Sequence, residues 1–120
     1  MGAVDVVRVY GKESGRGGYR VLVDRLWPRG IKKAELAIDE WAKDVAPSHD
    51  LRTWYGHDPQ RFEEFVHRYT AELKRSPAAE ALASLASRAA AADITLLTAT
   101  KDVDHSAATV LADLLRRGAS

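Results

Sequence analysis

A short segment near the C-terminal end constrains the fold of this chain most strongly. Residues 94–100, which read Ile-Thr-Leu-Leu-Thr-Ala-Thr, are almost continuously apolar or β-branched. Such a strand is typical of the centre of a parallel sheet, where other elements cover both of its faces. Strand patterns also occur at residues 4–10 and 19–23, and helical patterns lie between strands. We therefore predict an α/β fold, a single-domain layered sandwich in which helices pack on a small, mostly parallel sheet.

The segment from residue 38 to residue 45 fits two patterns. Trp41, Lys43 and Val45 alternate as in a strand, whereas Ile38, Trp41 and Val45 share one face of a helix. We favour the strand. A short helical turn is expected just before it, over residues 31–36.

Several dipeptides and single residues are typical of helix N-termini. Ser48 is predicted to cap one helix, and Asp58 before Pro59 is predicted to cap the next. Ser76 before Pro77 repeats the pattern for an Ala-rich helix that extends to about residue 92. Asp104 is expected to cap a final helix that ends at residue 118.

Composition limits the class of protein. The chain has 120 residues and no cysteine, which excludes disulfides, thiolate nucleophiles, iron–sulfur clusters and cysteine zinc sites. We expect one domain over residues 1–120. No apolar run is as long as a membrane span, and the N-terminus lacks the charged-then-apolar layout of a signal peptide. We therefore expect a cytoplasmic location without membrane partners. The HExxH motif of zinc enzymes is absent, and so is the glycine-rich turn of a dinucleotide fold, so no metal site and no cofactor are predicted. The GxSxG motif of serine hydrolases is absent as well.

Positive charge is concentrated near the N-terminus. Residues 1–33 contain eight basic and three acidic side chains, although the whole chain carries a net charge of only +1. Part of this charge lies in residues 11–18, a glycine-rich segment that we interpret as a flexible, solvated loop. The segment lacks the Gly-Lys-Ser/Thr ending of a phosphate-binding P-loop.

Charged side chains follow two predicted strands at the point where each strand ends. Asp24, Arg25, Trp27 and Arg29 follow the second strand, and residues Lys101, Asp102 and His105 follow the central one. In open parallel sheets ligands bind at the carboxyl ends of the strands, so neighbouring strands would bring these groups into one crevice.

Arginine and lysine in such a crevice predict an anion site. His105 is the candidate general acid or base, with Asp24 and Lys101 as further catalytic candidates. Two alternatives stay open: Asp24 and Arg25 form a structural ion pair, or His105 is only a helix-capping or surface residue.

A second polar group lies in the middle of the chain. It contains five further ligand-binding candidates: Ser48, Arg52, Trp54, His57 and Arg68. Aromatic rings beside arginines would suit a planar anionic ligand such as a nucleotide. The alternative is that these residues only build a helix junction.

These same residues carry a resemblance to a known family. The sequence resembles the YeaO-like branch of domain of unknown function 488, small bacterial and archaeal proteins, over nearly its whole length. The matching stretches are 23–30 (Val-Asp-Arg-Leu-Trp-Pro-Arg-Gly), 39–48, 51–52 with 54–59, 68–69 with 72–73, and 101–102 with 105–107. The family has no established activity, so the resemblance implies a fold and not a reaction.

The resemblance also bears on individual residues. It implies that Asp24-Arg25 and Pro28 match the family's strand-end motif, and that residues 38–45 correspond to a strand. His105 stands where the family typically has an Asn-His pair, with Asp104 in the Asn position. That substitution leaves a helix cap intact, whereas a contact specific to the amide of asparagine is not expected here.

The sequence therefore predicts a crevice that binds a phosphate-bearing or nucleotide-like molecule, with enzymatic activity left open. Arg25, Arg29 and Lys101 would bind charge, Asp24 would orient them, and His105 would transfer protons. The alternative is a non-catalytic regulatory domain that binds nucleic acid or a protein; nucleic acid is the less favoured partner. A third interpretation makes the polar cluster a structural network. The oligomeric state is left open.

Overall fold

The computed structural model describes residues 2–10 and 18–118. The glycine-rich loop was predicted at residues 11–18. Of these, residues 11–17 lie outside the described residues, and only Gly18 is described. The strands are β1 Val4–Arg8, β2 Tyr19–Leu22, β3 Glu40–Trp41 and β4 Ile94–Thr98, and the helices are α1 His49–Tyr55, α2 Phe62–Glu72, α3 Ala78–Ala91 and α4 Ala107–Arg116. Single 3-10 turns lie at Lys33–Glu35, Lys43–Val45, Pro59–Arg61 and Val103–His105.

All four described strands are parallel, in the order β1-β4-β2-β3. Every residue of β4 is buried, because β4 has a strand on each side and a covered face above and below. The predicted α/β fold with a central strand at 94–98 is confirmed. None of the described helices is long and apolar enough to cross a membrane.

The two faces of the sheet are covered differently. Leu96 belongs to a core cluster to which all four described helices contribute, whereas Leu97 belongs to a smaller cluster with Trp27 and Ile38. Because successive side chains in a strand point to opposite faces, the helices pack on one face and the segment 26–38 covers the other. We call these the helix face and the loop face.

The strand predicted at residues 38–45 is shorter than expected. β3 contains only Glu40 and Trp41, and a 3-10 turn with the fully buried Val45 follows it. Backbone bonds from Asp39 to the Arg20 carbonyl and from Ala42 to the Leu22 carbonyl extend the contact with β2 slightly. Ile38 and Trp41 belong to the core cluster of the loop face and Val45 to that of the helix face, so the helix interpretation was wrong and the favoured strand was right over a shorter range.

The predicted caps are correct at two helix starts and wrong at two. Ser48 accepts from the Leu51 amide at the start of α1, and Asp58 accepts from the Gln60 amide at the start of the 3-10 turn Pro59–Arg61 that leads into α2. Ser76 instead donates to the Glu80 carboxylate, and α3 begins after Pro77 without a side-chain cap. Asp104 lies inside a 3-10 turn, so Ser106 caps α4 by accepting from the Thr109 amide.

Candidate anion-binding cleft

A cleft of about 1160 Å³ lies at the carboxyl ends of β2 and β4. The two strands are direct neighbours, with Val21 opposite Leu96 and Leu22 opposite Leu97. Because they are parallel, the segments that follow them leave the sheet at the same edge. The prediction that these two strand ends adjoin is therefore confirmed.

Eight of the sequence-predicted site residues line this cleft. Together with newly found neighbours, the lining includes Tyr10, Asp24, Arg25, Leu26, Trp27, Arg29, Arg52, Tyr55, His57, Phe65, Lys101, Asp102, His105 and Ser106. The structure thus joins the strand-end group with Arg52 and His57 from the second group.

The other three members of the second group lie outside the cleft lining. Ser48 caps α1 and also binds Glu72, whose carboxylate accepts from the Ser48 amide at 2.9 Å and from its hydroxyl at 2.5 Å. The Arg68 guanidinium stacks 4.1 Å from the Trp54 ring centre and pairs with Glu64 at 3.0 Å. For these three residues the contacts fit the helix-junction interpretation.

Asp24 forms the base of the cleft and links β2 to β4. One carboxylate oxygen accepts from the Thr98 hydroxyl at 2.7 Å, and the other accepts from the Ala99 amide at 2.7 Å. Burial raises the pKa of this carboxyl, which the two hydrogen bonds and the nearby Arg52 guanidinium only partly oppose. The backbone carbonyl of Asp24 accepts a hydrogen bond from the Trp41 indole at 2.8 Å.

Arg25 turns away from its neighbour Asp24. Its guanidinium donates to the Ala46 carbonyl at 3.1 Å and to the Pro47 carbonyl at 3.3 Å. These bonds fasten the segment after β2 to the segment before α1. Arg25 therefore stabilises the shape of the cleft wall. The alternative of an ion pair between Asp24 and Arg25 was wrong, because each side chain binds other partners.

His105 is held in a defined orientation. Its Nδ1 lies 2.8 Å from the Asp102 carboxylate, and its ring meets the edge of Phe62 at 5.1 Å between centres. The Tyr55 hydroxyl donates to the His105 carbonyl at 2.6 Å. A neutral imidazole that donates through Nδ1 to this carboxylate leaves its Nε2 as an acceptor.

His57 has an unusual backbone. It follows Gly56, which ends α1 in the left-handed region, and has itself a φ of 56°. A left-handed residue other than glycine costs free energy, and such residues concentrate at functional sites. This exposed side chain stands at the cleft beside Tyr55, with 6.3 Å between ring centres.

The helix face supplies the aromatic floor. The buried Phe65 ring stacks on Tyr55 at 4.3 Å and on Tyr69 at 5.5 Å between centres. The Tyr69 hydroxyl donates to the Val45 carbonyl, and burial raises its pKa well above the usual value. Tyr55 and Phe65 line the cleft, and their place there depends on the packing of α1 against α2.

The loop face supplies the opposite wall. The Tyr10 hydroxyl donates to the Arg29 carbonyl at 2.7 Å, and the Trp27 indole donates to the Ile31 carbonyl at 2.6 Å. Leu26 also lines the cleft and is 65% exposed. Tyr10 follows β1, so the strand-end rule that selected Asp24 and Lys101 could also have found it.

Charge in the cleft is unbalanced toward the positive. Among the described lining residues, four are cationic (Arg25, Arg29, Arg52 and Lys101) and two are carboxylates (Asp24 and Asp102). The capping residue Ser106 and the first residue of α4, Ala107, also line it and add the partial positive charge of a helix N-terminus. Within residues 2–10 and 18–118 no group of three or more acidic or histidine side chains is placed to hold a metal ion.

Comparison with known proteins confirms the resemblance seen in the sequence. A family model described as "Inactive DUF488-N3 subclade" matches residues 3–119. The uncharacterized proteins Rv3073c of Mycobacterium tuberculosis and Mb3100c of Mycobacterium bovis are each 49% identical over 112 residues, which cover 93% of this chain and 92% of theirs. The uncharacterized protein YeaO of Escherichia coli is 43% identical over 110 residues, 91% of this chain and 93% of its own. No solved structure matches the chain. The chain therefore belongs to the YeaO-like DUF488 family, in the group described as its inactive N3 subclade.

Proposed function

We propose that this protein binds a phosphate-bearing small molecule in the cleft and holds it without converting it. The observation that carries this proposal is the excess of cationic over acidic side chains in the lining. Both carboxylates already have partners, since Asp24 accepts from β4 and Asp102 contacts His105. The remaining positive charge is available to an anion.

The cations have different parts in this proposal. Arg52 and Lys101 are exposed side chains that line the cleft, and we assign direct contact with the anion to them. Arg29, also exposed, would add charge at the rim. Arg25 is a positioning residue, because its guanidinium is already bound to backbone carbonyls.

Two features support binding without conversion. The family model that matches the chain is described as inactive. Asp24 uses both carboxylate oxygens to hold β4, and the Ser106 hydroxyl donates to the Val103 carbonyl while it accepts from the Thr109 amide. These groups are committed to the architecture of the cleft instead of being poised for reaction.

Removal of either direct cation is expected to weaken anion binding. We expect Arg52→Gln and Lys101→Gln each to raise the Kd for inorganic pyrophosphate about 10- to 150-fold, because each loses a charge-assisted hydrogen bond of about 1.5–3 kcal/mol. Isothermal titration calorimetry measures this directly. Both side chains are exposed, so the melting temperature should change little.

Arg68→Gln provides the matched control, because it removes the same charge from the stack on Trp54 outside the cleft lining. Its Kd should equal that of the wild type. Equal weakening in all three variants would mean that only net charge matters, and failure of the wild type to bind pyrophosphate would refute the proposal.

A catalytic function is the second candidate, and the contact between Asp102 and His105 favours it. A histidine oriented by a carboxylate is a common general base. Phosphorus NMR of wild type incubated with phosphate esters would decide between the two. Conversion that disappears in His105→Gln would replace the binding proposal with an enzymatic one, whereas unchanged esters after prolonged incubation support binding alone.

Salt dependence separates a small ligand from a nucleic acid. Backbone binding to several phosphates releases many counterions, so its affinity falls steeply as the salt concentration rises. A small anion held by Arg52 and Lys101 should show a shallow dependence. Tighter binding of a single-stranded oligonucleotide, with a steep salt slope, would favour the regulatory alternative.

A further inference from the structure

The cleft is larger than an isolated phosphate group requires. Its volume of about 1160 Å³ exceeds that of most small-molecule sites, which are roughly 300–1000 Å³. Arg52, Lys101 and the first turn of α4 account for only part of its lining. The remaining part of the lining is available to another portion of the ligand.

The two walls of the cleft differ in chemistry. The cationic side chains Arg52 and Lys101 line the same cleft as the apolar side chains Leu26 and Trp27. Trp27 belongs to the core cluster of the loop face. A ligand that contacts both sets of side chains has an anionic part and an apolar part.

The apolar wall is built as a fixed surface. Tyr10 and Trp27 each donate a hydrogen bond to the segment 29–31, and the Trp27 ring packs edge-on against Trp41 with 5.3 Å between centres. Leu26 precedes Trp27 in the chain, lines the cleft, and is the one large apolar side chain of the described residues that is exposed, at 65%. Packing of the core does not explain an exposed leucine at this position.

We propose that the ligand is a nucleoside phosphate, with its base on Leu26 and Trp27 and its phosphates on Arg52 and Lys101. This inference rests on the proposed anion-binding function and adds the class of ligand and its orientation. A planar base is apolar on its faces and stacks on aromatic rings, which fits the fixed wall. The exposed Arg29 beside Trp27 can stack on the same base.

Calorimetry with paired probes tests the base and the phosphates separately. The probes are ADP, GDP, CDP and UDP, with inorganic pyrophosphate and ribose 5-phosphate as ligands without a base, and a tetranucleotide as a short nucleic acid. We expect at least one diphosphate to bind about tenfold more tightly than pyrophosphate. In Leu26→Asn that advantage should disappear, while the Kd for pyrophosphate stays unchanged.

Leu26→Met is the matched control, because it retains an apolar side chain and should retain the advantage of the diphosphate. Position 26 is exposed, so neither variant should unfold the protein. If no diphosphate binds more tightly than pyrophosphate, the nucleoside proposal is refuted and anion binding stands. If the advantage persists in Leu26→Asn, the proposed orientation is refuted. Tighter binding of a tetranucleotide than of any diphosphate refutes the small-molecule ligand, and failure of every probe refutes both proposals.

Discussion

Replacement of Phe65 by alanine is expected to lower the free energy of unfolding by about 3–5 kcal/mol. Phe65 is 1% exposed and lies between the rings of Tyr55 and Tyr69 in the floor of the cleft. Its removal leaves a cavity that α1 and α2 cannot close without moving, so transfer free energy and packing contacts are lost together. Denaturant titration followed by circular dichroism measures the loss.

The same substitution should disturb the cleft. Tyr55 stacks on Phe65 and donates from its hydroxyl to the His105 carbonyl, so the stack supports the turn that carries His105. Phe65→Leu retains most of the volume and should cost about 1–1.5 kcal/mol. A loss below about 1 kcal/mol in Phe65→Ala would show that the floor of the cleft is loosely packed.

The position of the cleft could be predicted from sequence because it follows from strand chemistry. The apolar run at residues 94–98 required a buried parallel strand, and parallel strands end at one edge of a sheet. The strand order could not be predicted from local sequence patterns, because β4 is the last strand along the chain and yet pairs with both β1 and β2. The adjacency of Asp24 and Lys101 was therefore a hypothesis until the sheet was known.

Two members of the second group of candidates line the cleft and three do not, and the spacing of these residues in the sequence does not predict which. Arg52 and Trp54 are two residues apart on α1, so they point in different directions around the helix. Arg52 lies at the cleft and acts on the pKa of Asp24, whereas Trp54 meets Arg68 from α2. The packing of α1 against α2 decides which residue faces which, and that packing is a tertiary contact.

The predicted cap at Asp104 failed through competition between neighbours. Asp104 and Ser106 are both good capping residues, and the sequence allows either. The 3-10 turn Val103–His105 includes Asp104, and the Ser106 hydroxyl then reaches the Thr109 amide. The shift moves the start of α4 and places Ser106 and Ala107 in the cleft lining.

Replacement of Asp24 by alanine is expected to lower the free energy of unfolding by about 2–4 kcal/mol. The change leaves the Ala99 amide and the Thr98 hydroxyl without the partners that they have now, and an unsatisfied buried donor costs about 1–3 kcal/mol. Thr98 retains a contact with Thr100 at 3.2 Å, so its loss is the smaller of the two. Thermal and denaturant unfolding measure the change, and a variant as stable as the wild type would contradict the link between β2 and β4.

Asp24→Asn separates the hydrogen bonds of this carboxylate from its charge. The amide oxygen can accept from Ala99, and the amide nitrogen can donate to a reoriented Thr98 hydroxyl, so we expect a loss of only about 1 kcal/mol or less near neutral pH. The variant also removes the titration of a carboxyl whose pKa is raised above its ordinary 3.8 by burial. It is therefore the right reference for the pH dependence of stability.

The sign of that pH dependence follows from the direction of the pKa shift. When the folded pKa of a carboxyl lies above its unfolded value, the folded state holds the proton more tightly, so the group contributes stability below the unfolded pKa. That contribution is lost as the pH rises from about 3.8 through the raised folded pKa of Asp24. The free energy of unfolding of the wild type minus that of Asp24→Asn should therefore be largest in acid and decline across this range. A difference that grows with pH would mean that Arg52 and the bonds from β4 stabilise the ionised carboxylate more than burial penalises it.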